Sequence, residues 1–194
     1  GVGILIDASG GSIEEIGDYR VHTFTSNGNF VVNEIAGSVP SPAQAVDYIV
    51  VAGGGGGGYS YGAGAGAGGY RESHVEAISG PYTASPLAST TSIPISASPG
   101  TYPIVVGAGG GQSGLYNDEQ NGSPSSFSTI SASGGGGGGG TGQGPGNPGG
   151  SGGGGGKQSG APSGSGNSGG YSPPEGNPGG PGSPSTGGGG GADS

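Results

Sequence analysis

The 194-residue chain has no cysteine, no methionine and no tryptophan. Without cysteine there is no disulfide framework, no thiolate metal site and no thiol redox chemistry. Charge is scarce at 8%, and cations are scarcest: Arg20, Arg71 and Lys157 stand against twelve carboxylates. A net charge of −9 argues against nucleic acid as a partner, because nothing here could neutralise a run of phosphates. An anionic membrane surface would repel the chain as well. Long hydrophobic runs are missing; the longest, Tyr48-Ile-Val-Val-Ala52, is far too short to cross a membrane, and no signal peptide is visible. With no methionine at position 1, the chain is expected to be a processed product or a segment of a longer one.

What is abundant is glycine, 57 residues of it, together with 16 prolines. Glycine makes up 31 of the 61 residues from Gly134 to Ser194, a stretch with no Leu, Ile, Val or Phe and with Tyr171 as its only large side chain. Nothing there can build an ordinary core. Such a segment is either a disordered tail or an architecture in which backbone packs on backbone. Disordered tails combine low hydrophobicity with high charge, whereas these tracts are almost uncharged. The tracts also recur at the exits of strand-like segments, in 53–69 and 107–114 as well as 134–194. Three-residue-per-turn extended helices, rising about 3.1 Å per residue, can pack closely and hydrogen-bond sideways; the run Gly134–Gly140 would span roughly 22 Å. Collagen is excluded, since the period of three at Gly146, Gly149, Gly152 and Gly155 breaks at Gln158. The Gly-Asn-Pro-Gly-Gly repeats at 146–150 and 176–180 read as turns.

The less glycine-rich segments read as strands. Val21, Thr23 and Thr25 alternate with His22 and Phe24, and Phe30-Val-Val32 resumes after Ser26-Asn-Gly-Asn29, which predicts a hairpin turning at Asn-Gly. Tyr48–Val51, continuously apolar, predicts a buried strand. Further strands are expected at Ile93–Ile95, Tyr102–Val106 and Phe127–Ala132, with Pro94 and Pro103 pushing theirs toward edges or bulges. No window carries a 3.6-residue apolar period, so almost no helix is expected. The predicted fold is all-β: an antiparallel, sandwich-like N-terminal domain with inserted glycine tracts, followed by a bundle of polyglycine-II helices. Residues 1–11 form an N-terminal strand and Gly-Gly hinge, 12–133 the β-rich domain and 134–194 the glycine-rich domain. The first strand, containing Val2, Ile4, Leu5 and Ile6, is either an ordinary member of the domain or one that pairs with another subunit.

Chemistry-bearing motifs are weak. His22 and His74 show no metal-ligand spacing. Gly149-Gly-Ser-Gly-Gly153 formally matches a nucleophile elbow but lies deep in low-complexity sequence without the strand and helix that motif needs. Matches to Gly-x-Gly-x-x-Gly carry nothing in a chain this rich in glycine. Asn117-Asp-Glu-Gln-Asn121 is an oxygen-rich loop without calcium-loop spacing, and Asn121-Gly-Ser123 is a formal glycosylation acceptor. No catalytic residue, metal site or cofactor is expected, and no acidic pair stands out for polysaccharide hydrolysis. Tyrosine supplies nine of the twelve aromatics, and Tyr59, Tyr61, Tyr70, Tyr82, Tyr116 and Tyr171 lie in or beside glycine and loop segments. There they either present contact area to a partner or cover glycine backbone.

The order of segments resembles the glycine-rich domain at the ends of bacteriophage tail-fibre proteins. The likeness rests on Gly17–Val32, Asp47–Gly58, Gly68–Arg71, Pro99–Gly110 and Ser125–Gly135, which together cover most of residues 11–140. The C-terminal part is similar in kind to the tip adhesins of T-even-like phages, in which polyglycine-II helices carry loops that contact the host. The resemblance implies a non-enzymatic receptor-binding module at a virion or other extracellular surface, with contacts in loops 112–124, 141–148, 157–163 and 171–178. Tyr59, Tyr61, Tyr116, Asn117, Asp118, Asn147, Lys157 and Tyr171 are the candidate contact residues. The partner would be a glycan or outer-membrane protein of the host, with the chain acting as a homo-oligomer or as part of a larger fibre. The alternative is a subunit of a self-assembling extracellular filament, joined to identical subunits by strand donation from Val2–Ile6. Neither reading requires a membrane insertion.

Overall fold

A computed structural model describes residues 6–17, 19–36, 44–60, 62–96, 100–112, 120–140 and 144–184. Among these described residues there are eleven strands and one four-residue helical turn, so the chain is all-β with almost no helix. In chain order these are β1 (Ile6–Ser9), β2 (Ser12–Ile16), β3 (Tyr19–Thr23), β4 (Gly28–Ile35), β5 (Ala45–Val46), β6 (Ile49–Val51) and β7 (Tyr70–Glu72). The turn α1 (Glu76–Ser79) follows, then β8 (Ile93–Pro94), β9 (Gly100–Val105), β10 (Ser125–Phe127) and β11 (Ile130–Ala132). The largest sheet runs β1-β4-β9-β10-β11; β2-β3, β5-β8 and β6-β7 form two-stranded sheets, and every pairing between strands is antiparallel.

The expected hairpin at Asn27-Gly28 does not form. β3 pairs with β2 instead, closing between Ile16 and Tyr19, where Gly17 takes φ +61°. A glycine leading a two-residue loop supplies the positive φ that a tight hairpin needs. Strands β1 and β4 then continue the same ribbon past a break at Gly10 and Gly11. A Cβ on Gly10 would lie 2.1 Å from the Asn29 carbonyl oxygen, so only glycine lets the two sides approach there. Asn27 has another use: its Oδ1 accepts the Val106 N–H at 2.8 Å, where β9 ends.

Three other expectations are corrected by pairing. Phe127–Ala132 is a hairpin rather than one strand, with Phe127 opposite Ile130 and Ser128 at φ +52°. Strand β9 lies between β4 and β10 despite Pro103. The Pro103 carbonyl accepts the Ser128 N–H, so its missing donor points toward the β10–β11 turn, where no ladder bond is lost. Strand β6 is not buried throughout: Val50 is 6% exposed, but Ile49 and Val51 are 62% and 55% exposed. An apolar run alone does not say how many faces of its sheet are covered.

Two apolar clusters meet at Phe127 and Val46. One gathers Ala8, Phe30, Val32 and Ile95; the other gathers Tyr48, Val50, Ala52, Ile93 and Ala132. Phe30 packs edge-on against Phe127, with centroids 5.8 Å apart.

Beyond these strands the backbone itself becomes the core. β6, β9 and β11 lead into outgoing tracts at 52–58, 107–111 and 134–140, while returning tracts at 62–69 and 120–124 lead back into β7 and β10. Hydrogen bonds run between tracts and recur every third residue. Ala52, Gly55 and Gly58 donate to Gly69, Gly66 and Ala63; Gly69, Gly66 and Ala63 in turn donate to Ser133, Gly136 and Gly139. Along 134–140 successive residues address different neighbours. Gly135 and Gly138 donate to Gly53 and Gly56, Gly136 and Gly139 to Ser151 and Gly154, and Gly137 to the Asn121 side chain. Gly134–Gly140 and Ser151–Gly156 are buried along their whole length. The layer draws on both sides of residue 133, so the expected β-rich and glycine-rich parts share one hydrogen-bonded network.

The contact distance explains the composition. A Cβ on Gly136 would lie 1.9 Å from the Asn147 carbonyl oxygen, and one on Gly153 would lie 1.9 Å from that of Gly137. Gly136→Ala and Gly153→Ala are each expected to lower stability by about 3 kcal/mol through overpacking against rigid backbone. Gly111→Ala, which meets nothing within 4 Å, should stay within about 0.5 kcal/mol of the wild type. Urea denaturation monitored by circular dichroism measures all three; equal effects would contradict close packing as the cause.

Candidate functional site

The direction of each tract decides where the connecting loops go. Tracts 134–140 and 52–58 run parallel, as do 134–140 and 151–156, and 151–156 and 176–182, because paired residue numbers rise together. The returning tracts 62–69, 120–124, 144–150 and 161–167 run the opposite way. Strands lead into or out of the layer at one end only. Tyr59-Ser60, Gln112, Gly140 and Lys157–Gly160 therefore lie at the opposite, distal end.

Two contacts tie that end together. Gln112 Nε2 donates to the Gly58 carbonyl at 3.4 Å, and the Gly160 N–H donates to the Gly182 carbonyl at 3.2 Å. Ser60 sits at φ +40° and Gly160 at φ +79°, so both turns are tight. Tyr59 is 37% exposed, and Lys157, the only cation of the C-terminal glycine-rich region, is exposed beside Gln158 and Ser159. Of the sequence-predicted contact residues, Tyr59 and Lys157 thus share the distal end. Tyr61, Tyr116, Asn117 and Asp118 lie outside the described residues.

Asn147 and Tyr171 stand elsewhere. Asn147 is inside the layer, donating its N–H to Gly137 and accepting that of Gly153. Tyr171 lies at the strand-side end, under the Arg71 guanidinium, whose carbon is 4.0 Å from the ring centroid. Arg71 also donates to the Ser131 carbonyl at 2.9 Å. The Asn167 amide exchanges hydrogen bonds with the Tyr171 backbone, at 3.0 and 3.1 Å. Tyr171 therefore covers the joint between strands and glycine tracts.

At the same joint lies Glu175, 0% exposed. Its carboxylate accepts the backbone N–H of Ser133 at 2.7 Å and of Gly169 at 3.0 Å, and its own carbonyl accepts that of Tyr70. The signal in the sequence is a lone carboxylate between Pro174 and Gly176 in an uncharged stretch. Asn121 plays a related part: its side chain accepts from Gly137 and donates to Pro148, both at 2.9 Å. The side chain thus bridges the 120–124 tract to two neighbouring tracts.

A second polar cluster surrounds Asp47. Its carboxylate accepts from the hydroxyls of Ser73 at 2.7 Å and Ser92 at 2.6 Å, from the Val75 N–H at 3.0 Å, and from the Ser79 hydroxyl. Partial burial pushes its pKa up, but the donors together outweigh burial and hold it below the ordinary 3.8. Nearby, Tyr70 donates to the buried Glu72, and burial, that bond and the Glu72 charge push its phenol up to about 12. No group of three metal-ligating side chains exists among the described residues. His22 packs its ring edge-on against Phe30, with its Nδ1 at 2.9 Å from the Gly10 carbonyl.

A strand layer feeding a glycine backbone layer through its own strand ends defines a glycine-rich domain. The chain belongs to the glycine-rich domain family, whose model matches residues 25–194. None of the curated proteins and none of the solved structures compared with it matches.

Two predictions test the joint and the Asp47 cluster. Glu175→Ala takes the carboxylate acceptor from two part-buried N–H groups and should cost roughly 1–3 kcal/mol in urea denaturation. Because the folded pKa of Asp47 is depressed, its stabilisation is present above the unfolded value and is lost as pH falls through the folded one. Asp47→Asn should therefore be about 1–3 kcal/mol less stable than wild type near neutral pH. The gap should narrow as the pH drops below about 4. A gap constant from pH 7 to pH 3 would contradict this assignment.

Proposed function

We propose that the chain is a non-enzymatic structural and adhesive fibre module. Its glycine tracts are read as polyglycine-II helices, its strand layer as a sandwich, and its distal loops as the surface that recognises a receptor. The observation that carries this reading is the shared direction of the outgoing tracts, which brings otherwise separate loops to one end of a side-chain-free layer. The three-residue recurrence of the hydrogen bonds supports the helix type. An ordered backbone layer holds loops without needing their side chains, leaving loop sequence available for recognition. Tyrosine and a single lysine at such an end suit a glycan or an outer-membrane protein on a cell surface, and the setting proposed is extracellular or on a virion.

A second reading, assembly into a filament by donation of an N-terminal strand, is favoured by one feature: β6 carries exposed apolar side chains beside an edge with no strand partner among the described residues. Ile6 pairs with Ile35 of the same chain, which confines any donated segment to residues before it; Val2, Ile4 and Leu5 lie outside the described residues.

Binding of the purified chain to a panel of bacterial cells tests the first reading. The double variant Tyr59→Ala/Lys157→Ala should bind at least tenfold more weakly at a temperature where circular dichroism shows it folded. Tyr171→Ala should melt earlier yet bind normally below its melting point. Wild-type binding by the distal variant would sink the assignment.

A further inference from the structure

Strand β6 carries the two most exposed large apolar side chains among the described residues, Ile49 at 62% and Val51 at 55%. Its pairing with β7 fixes where their backbone groups point. Tyr48 accepts the Ser73 N–H and Ala52 donates to Gly69, each at 3.0 Å, with Val50 opposite Arg71 between them. Backbone direction alternates along a strand, so Ile49 and Val51 turn their N–H and C=O groups to the other edge. That edge has no strand partner among the described residues, since β6-β7 is a two-stranded sheet. Unpaired backbone beside exposed apolar side chains is the template that an added strand requires.

Charge narrows the occupant. At a net −9, two copies repel, and an approach at close range needs surfaces without carboxylates. The edge formed by β1 and β2 carries Asp7, Glu14 and Glu15, whereas no charged residue lies between Tyr48 and Tyr70. A matching uncharged, apolar segment precedes β1: Val2-Gly-Ile-Leu5. Ile6, the first paired residue of β1, faces Ile35, the last residue of β4, so the segment starts where that ladder stops. Four extended residues span about 13 Å, enough to cover the three residues of β6.

We propose that residues 2–5 of one copy add as a strand to the β6 edge of a second copy, with Ile49 and Val51 as the apolar contact. The proposal rests on the strand-donation reading above and names its acceptor. Donor and acceptor are different surfaces, so the contact is head-to-tail and generates open linear chains.

Sedimentation velocity and negative-stain electron microscopy of the full chain over a range of concentrations test it. Wild type should form linear chains. Ile49→Lys/Val51→Lys, at exposed positions, and Ile4→Asp/Leu5→Asp should each raise the concentration needed for assembly at least tenfold, with unchanged circular dichroism. Mixed together, the two variants should form dimers and nothing longer, because one can only donate and the other only accept. A monomeric wild type overturns strand donation itself. Normal assembly of the β6 variant, with loss in the N-terminal variant, overturns the acceptor alone. Loss in the β6 variant with normal assembly of the N-terminal variant overturns the donor, as does a mixture that yields no dimer.

Discussion

Everything in this chain depends on how closely one backbone can approach another. A hydrogen bond from N–H to C=O at 2.8–3.1 Å between extended tracts leaves no room for a Cβ at the contact, as the 1.9 Å separation at Gly136 shows. Glycine is conformationally expensive to order, because it gives up more freedom than any other residue. The layer offsets that cost with satisfied backbone groups rather than apolar burial. Each bond contributes only about 1 kcal/mol net, but each one left unmade inside the layer would cost more than it gains. The network is therefore strongly cooperative in composition: one side chain in a central tract displaces a neighbour that is itself bonded to two others.

Such a layer needs a starting register, and the strands provide it. β6, β9 and β11 set the direction and spacing of the first outgoing tracts, and the apolar clusters around Phe127 hold those strands. Side chains enter the glycine layer where backbone geometry runs short of partners. Asn121 substitutes for a peptide group between three tracts, and Glu175 gathers two N–H donors where a strand exit meets the 167–175 turn. Arg71 over Tyr171 then covers the outside of that joint. The polar residues here are fitted to unpaired backbone, so their loss is felt as orphaned donors rather than as missing charge.

Much of this was legible in the sequence, and the failures have specific causes. Glycine runs at strand exits, the near absence of charge in them and the lack of helical periodicity pointed to an all-β chain with an ordered backbone layer. Pairing partners were not legible. The Asn27-Gly28 turn signal is real chemistry spent on capping β9, and the hairpin used Gly17 instead. Pro103 is tolerated inside a sheet because its neighbour strand has already turned away at Ser128. Tyr171 read as a contact-loop residue because nothing in a glycine-rich sequence distinguishes a turn at one end of a tract from a turn at the other. Only the parity of the tracts decides that, and parity depends on counting every reversal between the strands and the residue in question.

That parity has a consequence for how such a surface can change. Strands tolerate shifts by two residues and these tracts by three, because those are the numbers that return a backbone group to the same neighbour. An insertion of one or two residues within 134–140 would turn every later donor toward the wrong tract. The same insertion at Lys157–Gly160 lies beyond the last paired residue of 151–156 and disturbs no register upstream. Constraint and freedom are thus separated along each tract by a single residue boundary. The strand-side turns, which hold Glu175 and Tyr171, are bound into the joint, while at the distal end Gln112 bonds to Gly58 and Gly160 to Gly182. A recognition surface placed at the distal end can vary in length and composition while the layer that carries it stays fixed.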